Sequence, residues 1–376
     1  MKKELELYFH IPFCVRKCAY CDFLSAPASE TVMEAYGKRL VEEIEGFEDA
    51  EAYQVCTAYF GGGSPSILAG SQIEAVMEAA RRRFAFCENA EITLEANPDT
   101  VTAEKLEAWK RAGINRLSIG LQSADDGELE RLGRIHDYAA FLKSFESARK
   151  AGFSNINIDL MSALPGQSVS DWERSLRTVI ALDPEHISAY SLIVEEGTPF
   201  YQRYEGGESP LLPSEEEERK MYWNTEKLLE KAGYCHYEIS NYGKPGRFCL
   251  HNIGYWTRRD YAGFGLGAAS LLNPVRYRNT NRLEDYLSGD FSKKEFQVLT
   301  KDNQIEETMF LGLRLLSGIS IQNFQETFSC PVTAVYSQEL AKMKELELME
   351  EADGRLFLTR KGVDVSNQVM AEFLLS

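Results

Sequence analysis

Short apolar segments alternate with longer segments of helical periodicity over roughly the first half of the chain. Six of the short segments, in which apolar residues alternate with polar ones or run together, predict strands at residues 5–11, 56–60, 91–96, 116–121, 156–160 and 186–194. The stretches between them, such as residues 71–84 and 102–112, carry apolar residues at helical spacing. Repeated β–α units of this kind indicate a parallel sheet with right-handed crossovers.

Six β–α units favour a partial (β/α)6 barrel of the TIM type, with a full eight-unit barrel or a doubly wound sheet as alternatives. In each of these folds the ligand lies at the carboxyl ends of the strands. Polar or flexible residues recur there: Cys14 to Cys21 after the first strand, Gly61 to Pro65 after the second, Glu95, Gln122 and Asp159. Their shared position predicts a single ligand site at this edge.

The second half of the chain has a different character. Ser214 is a good N-cap for a helix that is predicted to run to about Lys231. Residues 241–267, rich in glycine and aromatic residues, are expected to form a long, ordered loop that carries function. Beyond residue 281, predicted helices at 306–316 and 333–346 precede a hairpin that turns at Asp353-Gly354. The chain is therefore divided into residues 1–280 and a smaller, winged-helix-like C-terminal domain, residues 281–376.

Composition and charge exclude several classes of function. The formal net charge of −17 opposes nucleic-acid binding, because neutralising phosphates requires a basic face. No stretch of about 18 apolar residues is present, so an integral membrane protein is not expected. The 8 cysteines in 376 residues are too sparse for a disulfide-stapled domain, and the scatter of the five beyond residue 50 fits a reducing cytoplasm.

Three of the cysteines, Cys14, Cys18 and Cys21, are clustered with the spacing C-x3-C-x2-C. An iron–sulfur cube takes one thiolate on each of its four irons, so three thiolates leave one iron open. A structural zinc site is an alternative, although it usually takes four ligands. Buried thiols without a metal are the third interpretation.

Three segments resemble those of the radical S-adenosylmethionine (SAM) superfamily: YFHIPFC at residues 8–14, the cysteine motif with its Tyr20, and GGGSP at residues 61–65. The resemblance covers nearly the whole chain. It is specific for the branch that contains oxygen-independent coproporphyrinogen III dehydrogenase and its heme chaperone relatives. It implies a [4Fe-4S] cluster held by the three cysteines, with SAM chelating the open iron through its amino and carboxylate groups.

The resemblance also implies which residues contact SAM. Matching positions are Tyr8, Tyr20, Gly62, Gly63, Ser64, Glu95, Gln122, Arg134, Asp159 and Ile193. Missing side chains at the glycines allow close approach of the backbone. Arg134 suits a carboxylate, and Asp159 can accept hydrogen bonds from hydroxyl groups.

Two features distinguish between the dehydrogenases and the heme chaperones of this branch. The dehydrogenases typically have a further cysteine where this chain has Phe23, and they carry a longer extension than the nine residues before His10. Residues 251–256, HNIGYW, resemble the signature of the heme chaperones. The resemblance implies heme handling near this segment, with His251 as a candidate iron ligand, Cys249 as a rival, and Tyr255 and Trp256 packing on the porphyrin. On the residues alone, a histidine hydrogen-bonded within an ordered loop is the alternative.

A heme chaperone that inserts heme into hemoproteins is therefore the expected function. A radical SAM coproporphyrinogen III dehydrogenase and a structural or regulatory protein that keeps its cluster for stability are the alternatives. The expected cofactors are the cluster, SAM and heme. The expected partners are acceptor hemoproteins and an electron donor, and a homodimer is allowed.

Overall fold

The computed structural model describes residues 2–375, and six parallel strands form its centre. They are β1 (Lys3–Ile11), β2 (Tyr53–Gly62), β3 (Ala85–Ala96), β4 (Arg116–Gln122), β5 (Ile156–Ser162) and β6 (His186–Ser191). Each strand pairs in parallel with the next one along the chain. The predicted partial (β/α)6 barrel is confirmed, although β6 ends at Ser191 rather than at residue 194.

Eight helices follow or separate these strands. They are α1 (Glu30–Glu45), α2 (Gly70–Arg83), α3 (Ala103–Ala112), α4 (Asp126–Leu132), α5 (Tyr138–Lys150), α6 (Val169–Ile180), α7 (Pro199–Arg203) and α8 (Glu215–Lys231). The Ser214 side chain accepts a hydrogen bond from the backbone of Glu217, which confirms the predicted start of α8. Helix α3 ends at Gly113, whose φ of 89° is the left-handed conformation of a glycine cap.

The sheet is apolar on its outer face and polar within. In β1, Leu5, Leu7 and Phe9 belong to the main hydrophobic core, together with residues of the helices. Since successive side chains of a strand point to opposite faces, Glu6 and Tyr8 face the barrel interior. The inner surface of the barrel is therefore lined by groups that require polar partners.

Further strands extend both edges of the sheet. They and the helices between them are β7 (Cys235–Glu238), β8 (Asn241–Gly243), α9 (Leu250–Trp256), β9 (Tyr261–Phe264), β10 (Ala269–Leu272), β11 (Val275–Arg278), α10 (Leu283–Ser288) and β12 (Lys294–Val298). The prediction of a long loop at residues 241–267 is wrong, because β8 pairs with β6 and β9 pairs in parallel with β1. These strands are three and four residues long and form by pairing with distant strands, which local sequence does not reveal.

A second hydrophobic core begins at Ile305 and reaches Phe373. Its elements are α11 (Lys301–Gly312), β13 (Ile319–Ser320), α12 (Ile321–Phe328), α13 (Val332–Val335), α14 (Ser337–Glu345), β14 (Met349–Ala352), β15 (Arg355–Leu358), α15 (Arg360–Asp364) and α16 (Ser366–Ala371). The hairpin turn is confirmed, with Asp353 and Gly354 at φ of 51° and 72°. The expected helix at 333–346 is instead broken at Tyr336, whose hydroxyl donates to the Phe373 carbonyl at 2.8 Å.

The division of the chain at residue 280 remains a prediction. Tyr286 of α10 belongs to the first core, and β12 pairs with β11 at the edge of the large sheet. Residues just beyond 280 therefore pack with the barrel unit, while the second core starts with α11. Among the helices of residues 2–375, none has the length and apolar character needed to cross a bilayer.

The second core contacts the barrel through side chains in and just after α9. Glu307 of α11 accepts hydrogen bonds from Arg258 at 2.9 Å and from Arg276 at 2.5 Å. The guanidinium of Arg314 lies 4.3 Å from the ring centre of Trp256. The side chains of Arg258 and Glu307 are only 8% and 7% exposed, so this ion pair is largely shielded from water.

Removal of the Glu307 carboxylate tests this junction. In Glu307→Ala, the buried Arg258 loses its partner, and we expect a loss of about 3–5 kcal/mol in the free energy of unfolding. Urea denaturation followed by circular dichroism measures this loss. The control Glu372→Ala breaks an exposed pair with Lys342 (38% and 53% exposed), for which we expect less than about 1 kcal/mol. Equal losses in the two variants would contradict the interpretation of Arg258 and Glu307 as a buried ion pair that stabilises the junction.

Candidate functional site

The three cysteines lie in the loop that follows β1, at the carboxyl edge of the sheet. The backbone N–H of Cys14 donates to the Ala26 carbonyl at 3.2 Å, and that of Cys21 donates to the Cys18 carbonyl at 3.2 Å. Arg16 donates to the Gly133 carbonyl at 2.7 Å, which ties the loop to the end of α4. All three cysteines are half-buried, so their sulfurs remain accessible from the cavity beside them.

The glycine-rich turn after β2 packs directly against the cysteine loop. The Gly63 N–H donates to the carbonyl of Ile11, and the Ser64 N–H donates to that of Phe13, both at 2.8 Å. A Cβ atom on Gly63 would lie 2.6 Å from the Phe13 carbonyl oxygen and 2.9 Å from the sulfur of Cys14. This contact requires a glycine, since any side chain would displace the cysteine loop.

A cavity of about 300 Å³ opens at this edge of the sheet, between the cysteine loop and the ends of β2 to β6. Eleven predicted site residues line it: Cys14, Cys18, Tyr20, Cys21, Gly62, Gly63, Ser64, Glu95, Gln122, Arg134 and Asp159. They come from five strands or their following loops and from the loop after α4. The fold thus brings together residues that are up to about 145 positions apart in the sequence.

The acidic groups of the cavity are held by hydrogen bonds from neighbouring strands. Tyr59 donates to Glu95 at 2.8 Å, and Ser118 donates to Asp159 at 3.0 Å. Burial raises the pKa of Glu95 to about 7, with a further contribution from Asp159, although the hydrogen bond from Tyr59 opposes the rise. Burial also raises the pKa of Asp159. A cationic or hydroxyl-bearing ligand in the cavity would therefore stabilise the ionised form of these buried carboxyl groups.

Two polar atoms beside the cavity lack partners within the described residues. The Nη2 of Arg134 donates to the Gly120 carbonyl at 2.8 Å, and its Nη1 lies 3.6 Å from the sulfur of Cys18. The Nε of Arg134 is buried without a partner, and so is the Oδ1 of Asn97. Because buried polar groups are normally paired, this donor and this acceptor fit a polar ligand in the cavity.

Sequence reasoning missed several residues that line the cavity. Ser118 and Gly120 lie on the same face of β4 as Gln122, and Tyr190 of β6 donates to the Gln122 side chain at 3.0 Å. Asn97 follows directly after β3. The two-residue period of each strand could have identified Ser118 and Tyr190, since they alternate with outward-facing apolar residues.

Two of the predicted SAM residues do not line the cavity. The Tyr8 hydroxyl is 3.1 Å from Nδ1 of His10, and the Nε2 of His10 is 3.0 Å from the carbonyl of Leu24 in the cysteine loop. Tyr8 thus reaches this loop through His10 rather than directly. Ile193 is 69% exposed and lies beyond the end of β6. Contact of either residue with SAM remains a prediction.

The predicted heme segment lies at α9, and His251 projects into the barrel. The side chain of His251 is 2% exposed, with Nδ1 at 2.7 Å from the Thr57 hydroxyl and Nε2 at 3.2 Å from that of Tyr255. Its ring stacks on Tyr59 at a centroid distance of 4.9 Å. Burial, followed by the charge of Arg116, lowers the pKa of His251 to about 3, which keeps the ring neutral. In this conformation both ring nitrogens are engaged within the protein.

Among the other residues of this segment, Cys249 is buried, whereas Tyr255 and Trp256 are half-buried. Cys249 is 1% exposed, and burial raises the pKa of its thiol to about 12. Tyr255 packs edge-on against His251, and Trp256 lies under Arg314 of the C-terminal core. Heme contact by these four residues remains a prediction, and contact through His251 or Cys249 would require α9 to move from this position.

The donor set of the cysteine loop is compatible with a cluster rather than a single ion. Among the side chains of residues 2–204 and 206–375, no three of His, Cys, Asp or Glu converge closely enough to hold one metal ion. Thiolates on separate irons of a cube do not share one metal, so they need not converge in this way. Burial raises the pKa of Cys21, and the positive charge of bound iron would favour its thiolate form.

Comparison with known proteins identifies the family. The model of the radical SAM superfamily matches residues 8–179, and that of the HemN C-terminal domain matches residues 299–365. A HemW heme chaperone of Lactococcus lactis is 37% identical over 100% of this chain and 98% of its own length. This chain belongs to the HemW family of radical SAM proteins. Membership of the superfamily implies a [4Fe-4S] cluster and SAM.

Two further HemW relatives and one solved structure are also similar to this HemW-family chain. The HemW heme chaperone of Bacillus subtilis is 37% identical over 98% of both chains, and that of Escherichia coli is 37% identical over 80% of both. The structure of HemN, the coproporphyrinogen III oxidase of Escherichia coli, superposes with a TM-score of 0.84. It covers 99% of this chain and 90% of HemN at 22% identity, and it therefore supports the fold alone.

Proposed function

We propose that this HemW-family chain is a heme chaperone, which binds heme and delivers it to acceptor hemoproteins, and that it holds a [4Fe-4S] cluster with SAM. The observation that carries this proposal is similarity at 37% identity, over essentially the whole chain, to relatives named heme chaperone HemW. The similarity includes both the barrel and the C-terminal core. A cluster site alone would be equally compatible with many radical SAM enzymes.

The lining of the cavity supports the cofactor part of the proposal. Cys14, Cys18 and Cys21 would hold three irons, and the fourth iron would face the cavity. With the cluster and SAM bound, this site would supply one-electron reduction of the sulfonium group of SAM.

The remaining residues of the cavity would orient SAM. Arg134, with its unpaired Nε, suits the carboxylate of SAM, and Glu95 suits the N–H groups of its amino group. Asp159, already held by Ser118, would accept hydrogen bonds from the ribose hydroxyls.

Phe23 supports the chaperone over the alternative, a coproporphyrinogen III dehydrogenase. It lines the cavity and is 62% exposed at the position where the dehydrogenases typically carry a cysteine. A phenyl ring has no acidic hydrogen and no lone pair, so it can neither donate a proton nor act as a thiol. The carbonyl of Phe23 accepts a hydrogen bond from Lys17 at 2.8 Å, which holds the loop in this position.

Heme binding is proposed to involve the α9 segment. The neutral imidazole of His251 is the form that ligates iron, but both nitrogens are engaged in the closed position of α9. The α9 segment would therefore have to withdraw from the barrel before His251 or Cys249 could reach heme. The proposal also includes an electron donor and acceptor hemoproteins as partners and a cytoplasmic location, and it allows a homodimer.

Side-by-side assays on the anaerobically reconstituted protein separate the two functions. We expect titration with heme to give a saturable change in the Soret band. We also expect coproporphyrinogen III, supplied with SAM and a reductant, to remain unconverted. Formation of protoporphyrinogen at a rate typical of enzymes, about 1 per second or faster, would instead establish the dehydrogenase.

Substitutions in the α9 segment test the proposed heme ligands. If His251 or Cys249 binds the iron, we expect at least one of His251→Ala and Cys249→Ala to weaken heme binding about tenfold or more and to change the Soret spectrum. His236→Ala is the matched control, because His236 is also enclosed and its pKa is lowered by burial to about 4. Unchanged heme binding in both test variants would show that neither His251 nor Cys249 ligates the heme iron.

The raised pKa of Glu95 predicts how SAM binding depends on pH. Its carboxyl group ionises as the pH rises through about 7, and the carboxylate accepts much stronger hydrogen bonds from the amino N–H groups of SAM than the neutral acid does. We therefore expect the affinity for SAM to rise about five- to tenfold between pH 6 and pH 7.5, as measured by calorimetry on cluster-loaded protein.

Two variants control this measurement. Glu95→Gln should flatten the pH dependence, whereas Glu128→Gln should preserve it, because Glu128 is buried on α4 outside the cavity. If the affinity of Glu95→Gln for SAM still rose with pH, the titrating group would be a residue other than Glu95.

A further inference from the structure

Cys56 and Cys87 face each other on neighbouring strands, away from the cysteine loop. Cys56 is the fourth residue of β2 and Cys87 the third residue of β3, so both lie near the amino ends of parallel strands. Their sulfur atoms are 3.3 Å apart. The register pairs Val55 with Phe86 and then shifts, so that Thr57 pairs with Glu91, and the two cysteines meet at the start of this irregularity.

The backbone geometry at this position suits a covalent bond between the two sulfurs. Neighbouring strands lie about 4.8 Å apart, and disulfides join Cα atoms about 4.4–6.8 Å apart. The thiol of Cys56 has one further contact, 3.8 Å from the Gln54 carbonyl, which holds it in place only weakly. Closing the sulfur–sulfur distance therefore needs only small side-chain movements.

We propose that Cys56 and Cys87 are a redox-active pair that forms a reversible intramolecular disulfide between β2 and β3. Both side chains are half-buried, so a small oxidant can reach them. The disulfide would link β2 covalently to β3 at the amino edge of the sheet. At the same edge, Arg259 pairs with Glu4 at 3.2 Å. The proposal is independent of heme handling and of the cluster.

The reaction is a thiol–disulfide exchange with a low-molecular-weight disulfide such as oxidised glutathione. The Cys87 thiolate attacks one sulfur of the oxidant, which breaks its disulfide and releases one thiolate. The Cys56 thiol then loses its proton and attacks the mixed disulfide at Cys87, releasing a second thiolate. The two protein thiols are oxidised to one disulfide, the oxidant is reduced to two thiols, and the two protons pass to the leaving thiolates.

The environment of Cys56 favours one order of attack. Burial, followed by the contact with Cys87, raises the pKa of Cys56 to about 12. This rise favours Cys87 as the first nucleophile. Cys56 acts as the resolving thiol, since its sulfur is already in contact with that of Cys87.

Peptide mapping tests the proposal on the full, cluster-loaded chain. The protein is treated anaerobically with oxidised glutathione, free thiols are alkylated, and tryptic peptides are analysed by mass spectrometry. Trypsin cleaves after Arg81, Arg82 and Arg83, which separates the peptides of Cys56 and Cys87. We expect a linked peptide pair that dithiothreitol releases, with the iron content and cluster absorbance unchanged.

Three variants sharpen the result. Cys235→Ser, the matched control at an exposed cysteine, should form the same linkage as wild type. In Cys56→Ser, Cys87 should accumulate as a mixed disulfide with glutathione, because the resolving thiol is missing. In Cys87→Ser, Cys56 should remain free.

Two results would overturn the proposal. One is that Cys56 and Cys87 both remain free in the wild type once the exposed Cys235 has been fully glutathionylated. The other is that each carries its own glutathione without a linkage between them.

Discussion

Hydrogen bonding between parallel neighbours is the interaction on which the candidate site depends. Because β1 to β6 pair in chain order and in the same direction, their carboxyl ends meet at one edge of the sheet. The cysteine loop, the glycine turn and the polar ends of β3 to β6 are thereby collected around one cavity. The contact of Gly63 with Phe13 and Cys14 then sets the height of the cysteine loop above the strands. A slip of one residue between strands would turn the lining side chains to the opposite face.

The same sheet creates a second requirement at its inner face. Polar side chains along the inside need partners, and α9 provides several of them by entering between the strand ends. Gly254 allows this approach, since a Cβ there would collide with the Glu6 carboxylate. Burial raises the pKa of Glu6 to about 9 despite the charge of Arg259, so Glu6 can stay protonated beside His251. The C-terminal core holds α9 from outside through Glu307 and Arg314. The segment linked by resemblance to heme is thus a structural contact between the two cores.

The barrel and its cysteine site were predictable because their signals are local. Alternating strands, helix caps such as Ser214 and the spacing of Cys14, Cys18 and Cys21 are all read within short windows. The segment at residues 241–267 was misread, because β8 and β9 exist only through pairing with β6 and β1. The burial of His251 is also a long-range effect, since its partner Thr57 is 194 residues away. Tyr190 and Ser118 were missed although the period of their strands places them beside Gln122 and Asp159.

The central claim is that three thiolates hold a cluster whose fourth iron is open to SAM. Electron paramagnetic resonance of the reduced, anaerobically reconstituted protein, recorded with and without SAM, tests it most directly. The account predicts a [4Fe-4S] signal that SAM changes, and it predicts loss of this signal and of the visible absorption in Cys18→Ser. A full four-iron spectrum in Cys18→Ser, or a wild-type signal that is insensitive to saturating SAM, would contradict it.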